Sequence, residues 1–328
     1  MNKTILKLLL KRIASSLLLI FLIITILFFL LRISPGSPVQ KFISEDFSIE
    51  LSQKIKSNFQ LDKTLFEQYG SFIAQAVKLD FGTSYNYNLP VFSVIKDYLI
   101  FTVIFSFISL IVQIKAGSLF AFISVYKKNK YLNGVLDSVA IFSFALPSFL
   151  LGLLLIYIFS IILGILPSNG LTSINHDDLS VLGKFWDYVI HLILPVLSLS
   201  LTGTFIFYKY IKESVSEVSR KNFILNLQAI GEKKSKIILY HVLPNSINPI
   251  LTIAGLELGA LLSGSLITEV LFGLPGMGRL TITAILTRDY PLVIGCTFIS
   301  GLLIIFANLL ADFLKTVFDK RIINTLNN

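Results

Sequence analysis

Six long runs of apolar residues, separated by polar segments, dominate the sequence. They lie at residues 13–31, 98–126, 139–163, 189–207, 247–271 and 292–311. Each run is long enough, at about 1.5 Å per residue, to cross a hydrocarbon core of about 30 Å as a helix. A helix pairs its own backbone groups, which lipid would leave without partners. The pattern therefore predicts an all-α membrane protein with six transmembrane helices.

Composition supports this class, because 54% of the 328 residues are hydrophobic and only 14% are charged. A soluble domain carries about a quarter charged residues. The net charge of +9 does not indicate nucleic acid binding, since Lys and Arg are scattered between the apolar runs. The first run also resembles a secretory signal peptide, but it is long for one and residues 31–35 offer no small-residue cleavage site. We expect it to be a retained helix.

The polar segments predict the orientation of the chain. Lys and Arg are most frequent in residues 1–12, 127–138, 208–246 and 312–328. The positive-inside rule places these stretches, and both termini, in the cytoplasm. The chain then divides into an N-terminus with the first helix (1–31), an extracytoplasmic insert (32–97), a five-helix core that includes the loop 208–246 (98–317) and a cytoplasmic tail (318–328).

The insert 32–97 is expected to be a small helical unit. Thr64 and Glu67 have the spacing of a capping box, and apolar residues then recur at helical spacing. Residues 48–59 form a weaker helical pattern, and residues 80–84 indicate a turn. A unit of this size cannot bury an independent core, so it should lean on the membrane domain or on a partner.

The loop 208–246 is longer and more polar than a simple turn requires. Asn222 should cap a short helix in this loop, and Gly231 should close it in the left-handed conformation. A helix of about nine residues is marginal alone, so another surface must bury its apolar face. The alternative is a helix lying in the lipid headgroup layer. The apolar residues of this face are Phe223, Ile224, Leu227 and Ile230.

Small residues recur at helical spacing in the fifth run. Gly255, Gly259 and Ser263 stand at i, i+4 and i+8, which allows close helix packing. The stripe suits either packing within the chain or a seam with a second subunit.

A few polar residues and one proline interrupt the apolar runs. Glu257 and Lys115 either line a solute path or belong to a buried ion pair, with each other or with a partner chain. Glu269, near the outer end of its helix, either belongs to the path or braces the Gly-rich segment that follows. Pro147 is expected to kink the third helix.

No catalytic or phosphate-binding motif occurs in the sequence. The histidines His176, His191 and His241 are separated along the chain, and Cys296 is the single cysteine. H-E-x-x-H, G-x-S-x-G, Cys-x-x-Cys and P-loop patterns do not occur. We therefore expect no enzymatic activity, no metal and no cofactor, with any ATP handled by another chain.

Several motifs, in order along the chain, resemble those of one family. They are LRISPGSP at 31–38, LDK with QY within 61–69, DFGTSY at 80–85, LPSFLLG at 146–152, LPSNG at 166–170, EVLFGLPGMGRL at 269–280 and AILTRDYPL at 284–292. Together they resemble the B-type permease subunit of oligopeptide, dipeptide and nickel ABC importers. Residues 222–245 resemble the EAA loop of that family. The loop departs from the pattern at Leu225, Asn226 and Leu227, where the family has a glutamate and two alanines.

The resemblance implies a type I ABC importer permease fold in a bacterial inner membrane. It implies as partners a second homologous permease subunit, two ATP-binding subunits and an extracytoplasmic solute-binding protein, which the insert would meet unless it plugs the outer mouth. ATP-driven closure would switch the cavity from outward- to inward-facing. The residues that it places at the ATPase are Phe223, Ile224, Leu227, Ala229, Gly231 and Glu232. The cargo that the resemblance implies is oligopeptides, dipeptides or a related small solute, and nickel chelates, glutathione and sugar-like solutes stay open as alternatives.

The main alternative function is a secondary transporter or channel that uses an ion gradient. Such a protein predicts inverted repeats and a cluster of ionisable groups near the midplane. The sequence has no clear repeat, and only Lys115 and Glu257 lie deep in the apolar runs. A membrane-embedded enzyme is a third alternative, which the lack of a catalytic motif disfavours.

Overall fold

The computed structural model describes residues 3–33, 64–127 and 129–318. Within these ranges the chain is helical and forms no strand, apart from one isolated bridge between Thr83 and Pro90. The all-α prediction is confirmed. The predicted helix at 48–59 and nearly all of the predicted tail lie outside the described residues.

The described helices follow one another with short connections. In chain order they are α1 (Lys3–Ile33), α2 (Leu65–Val77), α3 (Val91–Lys127), α4 (Lys130–Ala145), α5 (Ser148–Leu155), α6 (Val181–Ser219), α7 (Asn222–Ala229), α8 (Lys234–Asn245), α9 (Ile247–Gly264), α10 (Leu266–Leu271), α11 (Met277–Leu286) and α12 (Tyr290–Phe318). The chain continues from α5 as a π-helix over Ile156–Ile162, and α8 is π-helical over Ile237–Val242.

Three of the described helices, α3, α6 and α12, are each long and apolar enough to cross a membrane. Two pairs of helices are each long and apolar enough together but are bent where they meet. They are α4 with α5 and its π-helical continuation, and α8 with α9, and they give two further crossings if each pair counts as one span. Helix α1 contributes a shorter apolar stretch at Ile13–Phe29. All six apolar runs lie on helices, and the number of six crossings stays a prediction.

The third apolar run is broken rather than kinked. Helix α4 ends at Ala145 and α5 begins at Ser148, with a bend of 106° between the two arms. Leu146 is extended, with φ −92° and ψ 128°, because the ring of Pro147 disfavours the helical conformation in the residue before it. The chain therefore bends at Pro147 as predicted, but more sharply than a kink, because the helix is interrupted there. Pro195, by contrast, lies inside α6 without ending it.

Helices α3 and α6 pack closely through small residues. A Cβ added to Gly117 would lie 2.6 Å from the Cβ of Phe207, and a Cβ added to Gly203 would overlap the side chain of Gln113. Gln113 is buried and donates its amide to the carbonyl oxygen of Leu199 at 3.3 Å. Because lipid is as apolar as the side chains, such close contact and interhelical hydrogen bonds hold the pair together.

Helix α2 leans on α1, as the size of the insert predicts. Thr64 and Glu67 form the predicted capping box, in which Thr64 N donates to Glu67 Oε2 at 2.9 Å and Glu67 N donates to Thr64 Oγ1 at 3.4 Å. The hydroxyl groups of Tyr69 and Thr25 lie 2.6 Å apart, and Phe28 packs edge-on against the Tyr69 ring. The unit therefore buries part of its apolar face on the first helix.

The connecting segments gather at two opposite faces of the helical bundle. We call residues 64–90, 163–180 and 272–289 the insert face, in which Ser84 contacts Asp289 and Gly170 N donates to the carbonyl oxygen of Phe272. We call residues 126–137 and 208–246 the loop face, in which Lys234 contacts Tyr126 and Lys212 contacts Asp137. Helices α3 and α6 run from one face to the other.

Candidate functional sites

The short helix α7 of the loop face begins without a side-chain cap. Lys221, extended at φ −71° and ψ 144°, is its N-cap, and its carbonyl oxygen accepts from Ile224 N at 2.9 Å. The predicted cap at Asn222 is wrong, because Asn222 is already the first helical residue. The predicted closure at Gly231 is confirmed, since Gly231 has φ +81° and Glu232 N reaches the carbonyl oxygen of Leu227 at 3.1 Å.

The side chains of α7 divide between the protein core and the surface. Ile224 is fully buried in the core cluster, and Leu227 packs against the same cluster. Phe223, Leu225 and Ile230 are 40%, 50% and 76% exposed. The exposed apolar surface therefore includes Leu225, one of the positions at which the loop departs from the EAA pattern. Ala229 and Gly231 are also exposed, and Glu232 is half-buried.

The return arm α8 joins the loop to two neighbouring helices. Its residues Ile237 and Val242 are buried in the core cluster that includes Val218 of α6. Lys234 Nζ donates to the carbonyl oxygen of Tyr126 at 3.1 Å and lies 5.3 Å from the centre of the Tyr126 ring. The loop is thus attached to α6 by apolar packing and to α3 by a lysine.

An acidic residue that sequence reasoning did not single out organises another part of the loop face. Asp137 of α4 lies 2.8 Å from Lys212 Nζ and 3.2 Å from Lys209 Nζ, and it accepts a hydrogen bond from the Tyr208 hydroxyl at 3.1 Å. The only sequence signal is one acid just before an apolar run and two lysines three residues apart after another run. Their pairing depends on the crossing of α4 and α6.

Glu269, which the sequence left open between a path and a brace, is fully buried at the insert face. Its Oε2 accepts from Gly278 N at 2.7 Å and from Arg279 N at 3.1 Å. Its Oε1 accepts from Ser265 Oγ at 2.6 Å and from Thr102 Oγ1 of α3 at 3.0 Å. The carboxylate therefore caps the N-terminus of α11, where unpaired N–H groups favour negative charge.

The same cluster explains part of the Gly-rich segment before α11. Thr102 Oγ1 accepts from Met277 N at 2.8 Å, so a third N–H group of α11 is paired. A Cβ added to Gly276 would overlap the Glu269 carboxyl group, and one added to Gly278 would overlap the backbone of Leu266. We call Glu269, Thr102, Ser265 and the N–H groups of residues 277–279 the Glu269 cluster. The cluster requires glycine at positions 276 and 278, because the Glu269 carboxylate and the Leu266 backbone leave no room for a Cβ there.

A second buried acid at the insert face ties the described part of the insert to the last helix. Asp289, fully buried just before α12, accepts from Ser84 Oγ at 2.5 Å and from Asn86 N at 3.1 Å. Its other oxygen accepts from Leu292 N of α12 at 3.3 Å. Burial and the hydrogen-bonded Tyr98 raise the pKa of the nearby Tyr87 to about 12. The DFGTSY turn is therefore anchored on the TRDYP turn.

Glu257 and Lys115 do not pair with each other. Glu257 on α9 is half-buried and Lys115 on α3 is exposed. Neither has a hydrogen bond or an ion pair with any residue that the structure describes. The alternative of a Glu257–Lys115 pair is therefore wrong, while a solute path or a partner chain stays a prediction for both residues.

The small-residue stripe of α9 faces the last helix of the same chain. A Cβ added to Gly255 would overlap the Ala311 side chain, and one added to Gly259 would lie 3.7 Å from Ile304. Of the two readings of this stripe, the geometry at these glycines favours packing within the chain. The side chain of Ser263, the third residue of the predicted stripe, lies outside the part of the chain that the structure describes.

Two histidines that are separated in sequence meet at one aspartate of α6. His176 Nδ1 lies 2.6 Å from Asp187 Oδ2, and His191 Nδ1 lies 3.2 Å from Asp187 Oδ1. Ser173 N donates to the same carboxylate at 2.9 Å. These contacts fasten the segment 163–180 to the start of α6. Within the described ranges no group of three or more His, Cys, Asp or Glu side chains has a geometry that could hold a metal ion.

Long apolar helices, packed through small residues and carrying polar clusters at two faces, define a helical membrane protein. The chain belongs to the family described as binding-protein-dependent transport system inner membrane component, which matches residues 113–324. The N-terminal part of such membrane components matches residues 5–106. The resemblance inferred from the motifs is confirmed, and the ion-gradient alternative is set aside.

Curated relatives align with almost the whole chain. The oligopeptide transport system permease protein OppB of Haemophilus influenzae is 32% identical over an alignment 331 positions long. The alignment covers 97% of this chain and 99% of that protein. The dipeptide transport system permease protein DppB of Alkalihalophilus pseudofirmus is 30% identical over 308 residues, covering 90% and 92%. The chain is thus a permease subunit of an ATP-driven importer in the inner membrane.

A solved structure shares the fold. It is a crystal structure of an amino acid ABC transporter with histidines, with a TM-score of 0.51 and 18% sequence identity. The likeness covers 70% of this chain and 94% of that chain. At this identity it shows the permease fold alone.

Proposed function

We propose that this permease subunit imports peptides or a related small solute. It would pair with a second homologous permease, two ATP-binding subunits and an extracytoplasmic binding protein. The relatives named for dipeptide and oligopeptide transport, which align with 90% or more of the chain, support this cargo class. In this proposal the loop face and both termini are cytoplasmic, as the distribution of Lys and Arg predicts, and the insert face meets the binding protein.

The observation that carries the coupling part of the proposal is the exposed apolar surface of α7. Phe223, Leu225 and Ile230 expose 40%, 50% and 76% of their surface on a helix of eight residues. Neighbouring exposed apolar side chains mark contact surfaces, and a helix this short needs support from outside itself. We assign this surface, with Ala229 and Glu232, to the ATP-binding subunit. Ile224 and Leu227 would instead hold α7 to the permease body.

The geometry then explains how force from the ATPase would reach the membrane. A helix anchored in the core by Ile224 moves together with the residues around it, since packed interiors transmit displacement. ATP binding by the partner would select one arrangement of the helices and its release the other. Gly231, at φ +81°, closes α7 and aims the chain into α8. Replacement of Gly231 by Trp should abolish transport while the protein still inserts into the membrane.

Docking is tested by charging the exposed surface of α7. The double substitution Phe223→Asp with Ile230→Asp should leave the permease in the membrane but reduce co-purification of the ATP-binding subunits at least tenfold, because two carboxylates would enter an apolar contact. Leu286→Asp is the control, since Leu286 is 78% exposed at the insert face. Equal co-purification of both variants would contradict the assignment of the surface.

Cargo and energy source are tested by uptake of labelled short peptides into intact cells with and without the gene. ATP is depleted while the ion gradient is held. We expect uptake that requires both the gene and ATP. Uptake that needs the gene but follows the ion gradient would contradict the mechanism. Peptide uptake that is the same without the gene would contradict the cargo class and lead to a screen of other solutes.

A further inference from the structure

Helix α3 is a continuous connection between the two faces. It extends without a break from Val91 to Lys127, and its sequence contains no proline. Thr102, near its insert-face end, belongs to the Glu269 cluster. Tyr126, at its loop-face end, contacts Lys234. Their separation of 24 positions in the helix corresponds to about 36 Å along the helix axis.

The contact at Tyr126 has a chemistry that suits the end of a helix. The last carbonyl groups of a helix have no partner within the helix and carry partial negative charge. Lys234 Nζ donates to the Tyr126 carbonyl oxygen at 3.1 Å, and its charge lies over the Tyr126 ring. The ring in turn stacks on Phe122, with centroids 5.5 Å apart. One cation therefore holds the loop to the backbone and the side chain of α3 together.

The neighbouring lysine has no comparable contact. The side chain of Lys233 is exposed and has no hydrogen bond or ion pair with the described residues. Lys236 pairs with Glu232 at 2.9 Å, inside the loop itself. Of the three lysines at the start of α8, only Lys234 reaches α3 in the part of the chain that the structure describes.

The opposite end of α3 is firmly attached. Thr102 is fully buried, donates to Glu269 at 3.0 Å and accepts from Met277 N at 2.8 Å. A displacement of α3 along its axis must therefore move the N-terminus of α11 or break hydrogen bonds that have no water to replace them. A displacement of α3 is therefore expected to move the insert face with it rather than to break these hydrogen bonds.

We propose that Lys234 is a positioning residue that couples the loop to α3, so that movement of the loop reaches the Glu269 cluster at the opposite face. This inference rests on the proposed docking of α7 on an ATP-binding subunit. It adds a specific route by which movement of the docked loop reaches the helices of the membrane domain. Apolar packing carries the movement into α6, and the lysine carries it into α3.

The experiment uses the complete transporter, with both permeases, both ATP-binding subunits and the binding protein, in proteoliposomes. Lys234→Ala is compared with Lys233→Ala, which removes the same charge one residue away, and with Lys234→Arg, which keeps a donor and a cation over the ring. Co-purification of the subunits, basal ATP hydrolysis and peptide transport per ATP hydrolysed are measured for each variant.

We expect Lys234→Ala to assemble and to hydrolyse ATP at the basal rate while transport per ATP falls about three- to tenfold, as loss of an exposed helix-end contact and a cation–π contact implies. Lys233→Ala should match the unmodified protein, and Lys234→Arg should recover most of the coupling. Equal transport per ATP in Lys234→Ala and Lys233→Ala would overturn the proposal. Loss of ATP-binding subunits from Lys234→Ala alone would also overturn it, because the lysine would then act in docking.

A second readout follows the insert face directly. A spin label on a cysteine at position 286, which is 78% exposed as leucine, reports motion of α11, whose N-terminus belongs to the Glu269 cluster, and the native Cys296 is too buried to compete for the label. ATP should change the mobility of this label clearly less in Lys234→Ala than in Lys233→Ala. A response of the label to ATP that is equal in Lys234→Ala and Lys233→Ala would exclude the route through α3. Failure of α7 docking is detected separately, by the Phe223 and Ile230 double variant.

Discussion

The insert face and the loop face hold their polar groups in opposite ways. At the insert face Glu269 and Asp289 are fully buried, and each accepts hydrogen bonds from at least three donors. At the loop face the side chain of Asp137 is 36% exposed, and Lys234 is exposed. Buried, fully paired groups are costly to separate, whereas exposed ion pairs contribute little each.

This difference fits the two kinds of partner proposed for the subunit, a binding protein at the insert face and an ATP-binding subunit at the loop face. The insert face keeps its shape without help, since its acids cap helices of the same chain. The loop face leaves an apolar helix exposed and is tied to the body by contacts of modest strength. In the proposed mechanism such a surface changes its contacts during each transport cycle, and the insert face moves as a unit.

The largest effect is expected at Glu269. Replacement by Ala removes the acceptor of the buried Thr102 and Ser265 hydroxyl groups and of two N–H groups of α11, and should destabilise the protein by about 3–5 kcal/mol. Thermal unfolding of the detergent-purified subunit measures the loss. Glu257→Ala is the matched control, because Glu257 lies in the same helical region without a described partner and should change stability by less than about 1 kcal/mol. Similar losses in the two variants would break the comparison.

A smaller effect is expected at Gly276. An added methyl group would overlap the Glu269 carboxyl group, so Gly276→Ala should destabilise the protein by about 1–3 kcal/mol. Gly134→Ala is the control, since nothing lies within 4 Å of its added Cβ and alanine favours the α4 helix. If Gly276→Ala were as stable as Gly134→Ala in the same assay, the tight fit of the Glu269 cluster would be refuted.

The smallest effect is expected at Asp137. Asp137→Asn weakens the pairing with Lys209 and Lys212, both partly exposed, and should cost about 0.2–1 kcal/mol. The same assay at low and high salt sharpens the comparison. Added salt should diminish the Asp137 effect, because ions screen exposed charges, and should leave the Glu269 effect unchanged. A salt-independent loss at Asp137 larger than that at Glu269 would reverse the assignment of rigid and adaptable faces.

Local patterns predicted what depends on neighbours in sequence. Hydrophobic runs predicted the helical class, Thr64 with Glu67 predicted a helix start, and Gly231 predicted a helix end. The same reasoning failed at Asn222, where backbone N–H groups that donate to the Lys221 carbonyl oxygen begin the helix without a side-chain cap. At Pro147 it predicted the position of the bend but not its size, because the preference for an extended residue before proline produced a break of 106°.

The sequence by itself determined the all-helical membrane class, the family and the position of the loop, because periodicity, hydropathy and ordered motifs are local properties of the chain. Only the tertiary structure decided which polar groups meet. Glu269 contacts Thr102, which lies 167 residues away in the chain, and Lys234 contacts Tyr126, which lies 108 residues away. Such pairs depend on how helices cross, and the crossing is set by close packing between small residues of distant helices rather than by any neighbour in sequence.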